Sequence, residues 1–201
     1  MTKIKAILFD MDGVLVNACE IHRKAFRDAV KSVGLKDNFR DEDLEGRPTK
    51  VKLQLCGITD PATCARINEK KQELTGKAAL LYPEDPERCL MLEKLTDDGF
   101  LIGCVTNSIQ WTAEGFLTYS GLFFYLDLLV TNENVMLPKP DPSCYRLAME
   151  KLGVAPHETL IVEDSRIGLE AARRSGAHVL ETTFDTLSYE QVKNRIKEVQ
   201  S

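Results

Sequence analysis

Two aspartates separated by a single residue form the first group that could do chemistry. Asp10 and Asp12 lie in the segment DMDG, directly after the short apolar run of residues 4–9. Side chains two residues apart in an extended chain share a face, so both carboxylates are expected to point into the same space. They repel each other unless a cation or a proton lies between them. The pair therefore indicates a metal or acid–base site, although the same residues would also fit an Asx turn.

Polar residues also stand at the ends of two later apolar runs and before a helix. Thr106 and Asn107 follow one run, Glu163 and Asp164 follow another, and Lys139 precedes a predicted helix. Together they offer hydroxyl and amide donors, a fixed positive charge and an acidic metal ligand. A lysine or a threonine alone would more often be a surface residue or the end of a strand. It is their order and placement that predict one shared cleft.

These side chains must be positioned by strands, and five short apolar runs predict them. The runs are residues 4–9, 100–105, 126–130, 159–162 and 178–180. Nearly continuous apolar runs are typical of strands covered on both faces, as in a parallel sheet. Helical patterns lie between the runs, so the sequence predicts an α/β fold with a doubly wound, mainly parallel sheet.

The stretch after the first strand does not alternate in this way. Helical patterns cover residues 19–33, 49–55 and 62–74, and no strong strand run interrupts them. We therefore predict a small helical insert at residues 17–80. The α/β core is then formed by residues 1–16 and 81–201.

Composition narrows the class of protein. The 201 residues are 43% hydrophobic and 28% charged, which is enough apolar material for a packed core and excludes a mostly disordered chain. A net charge of -5 disfavours a nucleic-acid partner. The first apolar run is short and is soon followed by the charged residue Asp10, which does not fit a signal peptide. No uncharged run is long enough to span a bilayer. Six cysteines without a C-x-x-C pair favour a reduced, cytoplasmic protein, and a monomer is the default expectation.

Four motifs in fixed order carry a family resemblance. They are DMDGV from Asp10, Thr106-Asn107, Lys139-Pro140, and the stretch EDSRIGLEAARRSGA from Glu163. With them the chain resembles the haloacid dehalogenase-like hydrolase superfamily, in the branch with an α-helical cap that contains β-phosphoglucomutase and many small-molecule phosphatases. The likeness covers essentially the whole chain and implies a Rossmann-like core with an inserted cap domain.

The resemblance implies a role for each aspartate. Asp10 would attack the substrate phosphorus and form an aspartyl-phosphate. Asp12 would protonate the leaving oxygen and then deprotonate the attacking water. Mg²⁺ would be bound by the Asp10 and Asp164 carboxylates and the Asp12 backbone carbonyl, which are the hard oxygen ligands that it prefers. Glu163 would act outside these direct ligands.

The resemblance also implies how the phosphoryl group is held. The Thr106 hydroxyl and the Asn107 backbone N–H would bind its oxygens, and Lys139 would offset the negative charge of Asp10 and the phosphoryl group. His22 matches a histidine that many capped members share. It could orient the acid–base groups or simply pack.

The cap loop bears on which reaction is catalysed. Gly46 and Arg47 are the predicted substrate-binding residues of this loop. In β-phosphoglucomutase a lysine precedes the glycine and an arginine follows it, and both help to hold a second phosphate. Glu45 and Thr49 stand at those positions here, which favours a phosphatase over a mutase, although Arg47 or Lys50 could substitute. The second aspartate, Asp12, argues against a dehalogenase.

The sequence thus predicts a Mg²⁺-dependent phosphatase acting on a small phosphorylated metabolite, a sugar phosphate or a nucleotide. A phosphosugar mutase and a non-catalytic phosphate-binding module are the alternatives.

Overall fold

A parallel five-stranded sheet forms the centre of the computed structural model, which describes residues 3–201. The strands are β1 (Ala6–Phe9), β2 (Leu101–Val105), β3 (Leu128–Val130), β4 (Thr159–Glu163) and β5 (His178–Glu181). Their order across the sheet is β3-β2-β1-β4-β5, and every neighbouring pair is parallel. Each of the five predicted runs overlaps one of these strands, with β4 and β5 ending one residue beyond their runs, and the predicted fold class is confirmed.

Helices connect the strands and cover the sheet. They are α1 (Cys19–Ser32), α2 (Asp41–Leu44), α3 (Thr49–Leu55), α4 (Pro61–Ala79), α5 (Pro86–Asp97), α6 (Gln110–Tyr119), α7 (Ser143–Leu152), α8 (Arg166–Ser175) and α9 (Tyr189–Gln200). None of the helices within residues 3–201 combines the length and the apolar character needed to cross a membrane.

The central strand explains why both faces of the sheet are covered. All four residues of β1 are buried. Because successive side chains of a strand point to opposite faces, Ile7 and Phe9 join an apolar cluster with residues of α5, α6 and α9. Leu8 joins a second cluster with residues of α7 and α8. Helices therefore pack on both faces, as in a doubly wound sheet.

The four helices between β1 and α5 bury an apolar cluster of their own. Its fully or nearly buried members are Phe26, Ala29, Val30, Leu44, Leu53 and Ile67. The predicted helices at 19–33 and 49–55 match α1 and α3 closely. The helix predicted at residues 62–74 is longer, because the Asp60 carboxylate accepts from the Thr63 N–H with Pro61 in the first turn, and the helix continues through Gly76.

The register of the sheet brings three polar segments to one edge. Phe9 is level with Cys104 of β2 and with Val162 of β4. The residue that follows Phe9 is Asp10, and its N–H donates to the Val162 carbonyl at 2.9 Å. Residues that follow β1, β2 and β4 are thereby neighbours at the carboxyl edge of the sheet, where open α/β sheets bind ligands.

Candidate active site

Lys139 is buried at the carboxyl edge of the sheet and contacts the first aspartate. Its Nζ lies 2.6 Å from Asp10 Oδ1 and 2.8 Å from Glu163 Oε1. It also donates to the Val105 carbonyl and to the Tyr145 hydroxyl, both at 2.8 Å. Burial lowers the pKa of this lysine, but the two carboxylates outweigh burial and hold it well above its ordinary value. The lysine is therefore a fixed positive charge against Asp10.

Glu163 is fully buried and satisfied by hydrogen bonds. Besides Lys139, the Tyr145 hydroxyl donates to its Oε1, at 3.1 Å. Its Oε2 accepts from the backbone N–H groups of Asp164 and Ser165 at 2.9 Å each, and from the Ser165 hydroxyl at 3.2 Å. Both carboxylate oxygens are thus occupied by protein donors. This fits the expectation that Glu163 supports the site without being a direct metal ligand.

Three carboxylates converge closely enough to hold a metal ion. One oxygen each from Asp10, Glu163 and Asp164 lies within 4.8 Å of the others. Burial raises the pKa of Asp10 well above its ordinary value, with Lys139 opposing the shift. Burial and the neighbouring Glu163 raise the pKa of Asp164 to about 7. Clustered carboxylates with raised pKa values indicate that a compensating cation is needed.

An oxygen of the Asp164 carboxylate without a hydrogen-bond partner also supports a metal site. Its Oδ1 is buried and has no hydrogen-bond partner among residues 3–201. Gly13 lies beside it with φ +93°, and a Cβ at that glycine would stand 2.1 Å from Asp164 Oδ2. An unpartnered buried carboxylate oxygen is costly. A divalent cation with oxygen ligands would satisfy it, so the residues present fit a divalent-metal site.

Asp12 is held by two side chains from different parts of the chain. The Ser108 hydroxyl donates to Asp12 Oδ2 at 3.1 Å. His22 Nε2 lies 3.1 Å from Asp12 Oδ1, although the orientation of the two groups does not give a hydrogen bond. Burial raises the pKa of Asp12, but His22 and Ser108 outweigh burial and bring it below the ordinary value. The arrangement stabilises the carboxylate form, which can accept a proton.

A buried lysine on α4 extends this chain of contacts. Lys71 Nζ lies 3.4 Å from His22 Nδ1, and both residues are buried. Burial lowers the pKa of His22 and brings that of Lys71 to about 8. Lys71 is not among the predicted site residues. The sequence does contain a signal for it. Lys71 lies four residues from Ile67 and four from Thr75, which are both fully buried, so it belongs to the buried face of its helix. Lysines are rarely buried without a functional or structural partner.

Thr106 and Asn107 follow β2 and line the cavity of the site. Thr106 is buried, and its Oγ1 accepts from the Ser108 N–H at 3.0 Å. The Asn107 side chain donates through Nδ2 to the Gly46 carbonyl at 2.8 Å, and its Oδ1 accepts from the Lys139 N–H at 3.0 Å. The loop with Gly46 thereby lies against the loop that follows β2.

One cavity of about 210 Å³ unites the predicted residues. All nine predicted site residues line it: Asp10, Asp12, His22, Gly46, Arg47, Thr106, Asn107, Lys139 and Asp164. Their individual roles stay predictions.

The chain is similar in sequence to known proteins. A family model described as haloacid dehalogenase-like hydrolase matches residues 7–182. A phosphorylated carbohydrates phosphatase of Thermotoga maritima is 30% identical over 182 residues, covering 86% of this chain and 82% of that protein. A fructose-1-phosphate phosphatase of Escherichia coli is 29% identical over 177 residues, covering 85% of this chain and 92% of that protein.

Solved structures agree on the fold. A β-phosphoglucomutase from Clostridium difficile superposes with a TM-score of 0.83 at 19% identity, and the match covers 97% of this chain and 98% of that one. At that identity the likeness supports the fold alone. With a family model spanning most of the sequence, the resemblance predicted from the four motifs is confirmed, and the chain belongs to the haloacid dehalogenase-like hydrolase family.

Proposed function

We propose that the protein is a Mg²⁺-dependent phosphatase that hydrolyses a small phosphomonoester, of the sugar phosphate or nucleotide class, through an aspartyl-phosphate. The observation that carries this proposal is the 2.6 Å contact between Lys139 Nζ and Asp10 Oδ1 beside the Asp164 carboxylate. Family membership and relatives named as phosphatases support it.

The first half of the reaction transfers the phosphoryl group to Asp10. A carboxylate oxygen of Asp10 bonds to phosphorus as the bond from phosphorus to the leaving oxygen breaks, and Asp12 gives its proton to that oxygen. A phosphate dianion beside Asp12 raises the pKa of this carboxyl and so favours the protonated form that the step requires. His22 and Ser108 keep the Asp12 side chain in place.

The second half releases phosphate. Water attacks the phosphorus of the aspartyl-phosphate, Asp12 takes the proton of the water, and the bond from Asp10 to phosphorus breaks. Inorganic phosphate leaves and Asp10 is a carboxylate again. Lys139 stays bound to Asp10 and Glu163 throughout and lowers the repulsion between the carboxylate and the phosphoryl oxygens.

A metal ion fits the acidic side of this site. The Asp10 and Asp164 carboxylates and the Asp12 backbone carbonyl would hold it. When bound, Mg²⁺ would neutralise negative charge on the phosphoryl oxygens and on the nucleophile.

We further propose that residues 17–80 act as a cap over a core formed by residues 1–16 and 81–201. The separate apolar cluster of α1 to α4 and the position of Gly46 and Arg47 on the cavity wall support this division. A cap that covers the cavity would limit the access of water. A cytoplasmic location and a monomeric state stay predictions.

A mutase is less well supported than a phosphatase. Glu45 stands where the mutase loop has a lysine, and its carboxylate is 3.4 Å from the Arg23 guanidinium. Arg47 directs its Nε to the Asp43 carbonyl at 3.0 Å. The loop thus lacks the lysine and the arginine with which a mutase holds a second phosphate, although Arg47 and Lys50 line the cavity.

The test is release of free phosphate from a panel of phosphorylated metabolites with Mg²⁺ and with a chelator. We expect Mg²⁺-dependent release that is lost in Asp10→Asn and kept in Asp97→Asn, a change of an exposed aspartate. A thermal shift with Mg²⁺ that is lost in Asp164→Asn would support the metal site independently. Full activity of Asp10→Asn would refute the nucleophile. Conversion of a sugar phosphate into its isomer with little free phosphate would favour the mutase, and calorimetric binding without turnover would favour the non-catalytic module.

A further inference from the structure

The cavity continues past the reacting carboxylates towards the helices of residues 17–80. Its volume of about 210 Å³ is far larger than the ~10–15 Å³ that a single water needs. Residues of α1, α3 and α4 form this far wall. The space therefore suits the part of a substrate that is not the transferred phosphoryl group.

Most of the cationic side chains around the cavity already have partners or face solvent. Lys139 is bound to Asp10, and Arg23 and Arg27 are bound to carboxylates on neighbouring segments. Lys50 is exposed. These four side chains therefore leave little uncompensated charge inside the cavity. Arg47, a fifth cation of the lining, donates through Nε to the Asp43 carbonyl at 3.0 Å.

Lys52 and Lys71 have neither a carboxylate partner nor a hydrogen bond to a backbone carbonyl among residues 3–201. Neither ammonium has a carboxylate oxygen within 4.0 Å in the described part of the chain. Lys71 is only 7% exposed, and its polar contact is the His22 ring nitrogen. Lys52 is half-buried, lies 5.7 Å from the centre of the Phe26 ring, and makes no side-chain hydrogen bond among residues 3–201. Both line the cavity.

Two uncompensated ammonium groups at one wall are energetically unfavourable without an anion. Burial lowers the pKa of Lys52, and burial together with repulsion from Lys52 lowers that of Lys71 to about 8. With a pKa of about 8, Lys71 keeps most of its charge at neutral pH. An anion between them would relieve the repulsion and replace the lost hydration.

The position of this wall relative to the chemistry defines what the anion belongs to. Lys71 is 3.4 Å from His22, and His22 is 3.1 Å from Asp12. Asp12 is the residue proposed to protonate the leaving oxygen. Lys71 is therefore connected to the proposed acid through His22, and Lys52 lines the same cavity.

We propose that Lys52 and Lys71 bind a second anionic group, a carboxylate or a further phosphate, carried by the leaving group of the substrate. The inference rests on the proposed function, because it takes Asp12 as the leaving-group acid. It makes Lys52 a specificity-determining residue. Lys71 also positions His22, so Lys52 is the cleaner position for a test.

The experiment compares phosphate release from matched alkyl phosphates, in short and long chains, that end in a hydroxyl, a carboxylate or a second phosphate. We expect kcat/KM to favour at least one of the anionic series over the hydroxyl series by about tenfold or more, mainly through KM. That ratio should fall by about tenfold in Lys52→Met and return in Lys52→Arg. Lys77→Met, which removes an exposed lysine of α4, should leave the ratio unchanged. The responsive series identifies the anion as a carboxylate or a phosphate.

Binding measured without turnover separates this inference from the proposed function. Calorimetric titration of the same compounds into Asp10→Asn should give tighter binding of an anionic series, and adding Lys52→Met should remove the gain. Hydrolysis of all series at equal kcat/KM would overturn the inference and leave the phosphatase intact. No hydrolysis, with Lys52-dependent binding of the anionic compounds, would overturn the phosphatase and retain the anion site. Equal binding of all series to both variants would also overturn the inference.

Discussion

The Asn107 side chain joins the loop of Gly46 to the core. Its Nδ2 donates to the Gly46 carbonyl at 2.8 Å, across 61 residues of sequence. Its Oδ1 accepts from the backbone N–H of Lys139 at 3.0 Å. One amide thus fixes the wall of the cavity and the backbone of the lysine that contacts Asp10.

Replacing this amide should loosen the cavity wall. Asn107→Ala removes these two hydrogen bonds, each contributing about 1 kcal/mol, and a longer one from Nδ2 to the Lys139 carbonyl at 3.4 Å. It keeps the backbone N–H that is predicted to bind the phosphoryl group. We expect kcat/KM for phosphate release to fall by roughly tenfold and amide exchange at residues 45–47 to become faster. Asn194→Ala, a change of an exposed residue on α9, is the control. Unchanged exchange at the loop would show that the contact does not hold it.

Removing the buried lysine should destabilise the protein as well as inactivate it. Lys139→Met leaves the Asp10 and Glu163 carboxylates buried without their cation, which costs about 3–5 kcal/mol when one partner of a buried pair is lost. Urea unfolding measures this change. Lys5→Met, which removes an exposed ion pair with Glu158, should cost at most about 1 kcal/mol. Equal stabilities of the two variants would contradict the compensating role of Lys139.

A glycine inside α8 should not tolerate a methyl group. Alanine in place of glycine usually stabilises a helix by about 1 kcal/mol. At Gly168, however, a Cβ would lie 1.7 Å from Glu163 Oε1. We expect Gly168→Ala to lower the free energy of unfolding by about 1–3 kcal/mol, the usual cost of overpacking, and to reduce activity by moving Glu163 against Lys139.

Gly115→Ala on α6 is the matched control, because its Cβ would meet the Ala79 side chain at an ordinary 3.4 Å. Thermal unfolding of both variants shows whether the helix stabilisation by alanine or the overpacking against Glu163 is larger. A stabilised Gly168→Ala would mean that Glu163 is free to move.

The ion pair of Arg27 and Asp37 should make stability depend on pH. The Arg27 hydrogen bond, with a further contribution from Lys31, holds the pKa of Asp37 below its ordinary value. A carboxyl with a lowered pKa stabilises the folded state above its unfolded pKa of about 3.9, and this contribution disappears as the pH falls through the folded pKa.

The difference in unfolding free energy between wild type and Asp37→Asn should therefore be about 1 kcal/mol near neutral pH and shrink below about pH 4. Urea unfolding at a series of pH values measures it, with Asp97→Asn as the variant without an ion pair. A difference that grows on acidification would have the wrong sign for this pair.

The sequence alone determined the sheet and the main catalytic candidates. Short apolar runs such as residues 6–9 predict strands because a strand covered on both faces is apolar at nearly every position. The site candidates Asp10, Thr106 and Asp164 were predictable because the carboxyl ends of parallel strands meet at one edge. Both inferences depend on local patterns and on the rules of parallel sheets.

Some elements were missed where local signals are weak or resemble other structures. α2 is a single turn, too short for a periodic pattern. α5 begins with an Asp85 cap and Pro86, a recognisable start, but its apolar positions form no clear stripe. Such helices are fixed by what they pack against.

Only the tertiary structure decided which distant residues meet. Nothing in the sequence near Lys71 indicates that His22 lies 3.4 Å away, or that Lys52 shares its wall. The contact of Asn107 with Gly46 and the space beside Gly168 also depend on how α1 to α4 and α8 pack on the sheet. The motif residues could be placed from the sequence because each directly follows a strand or precedes a helix at one edge of the sheet. Which cations remain unpaired depends on the distances between side chains from separate elements, and those distances exist only in the folded chain.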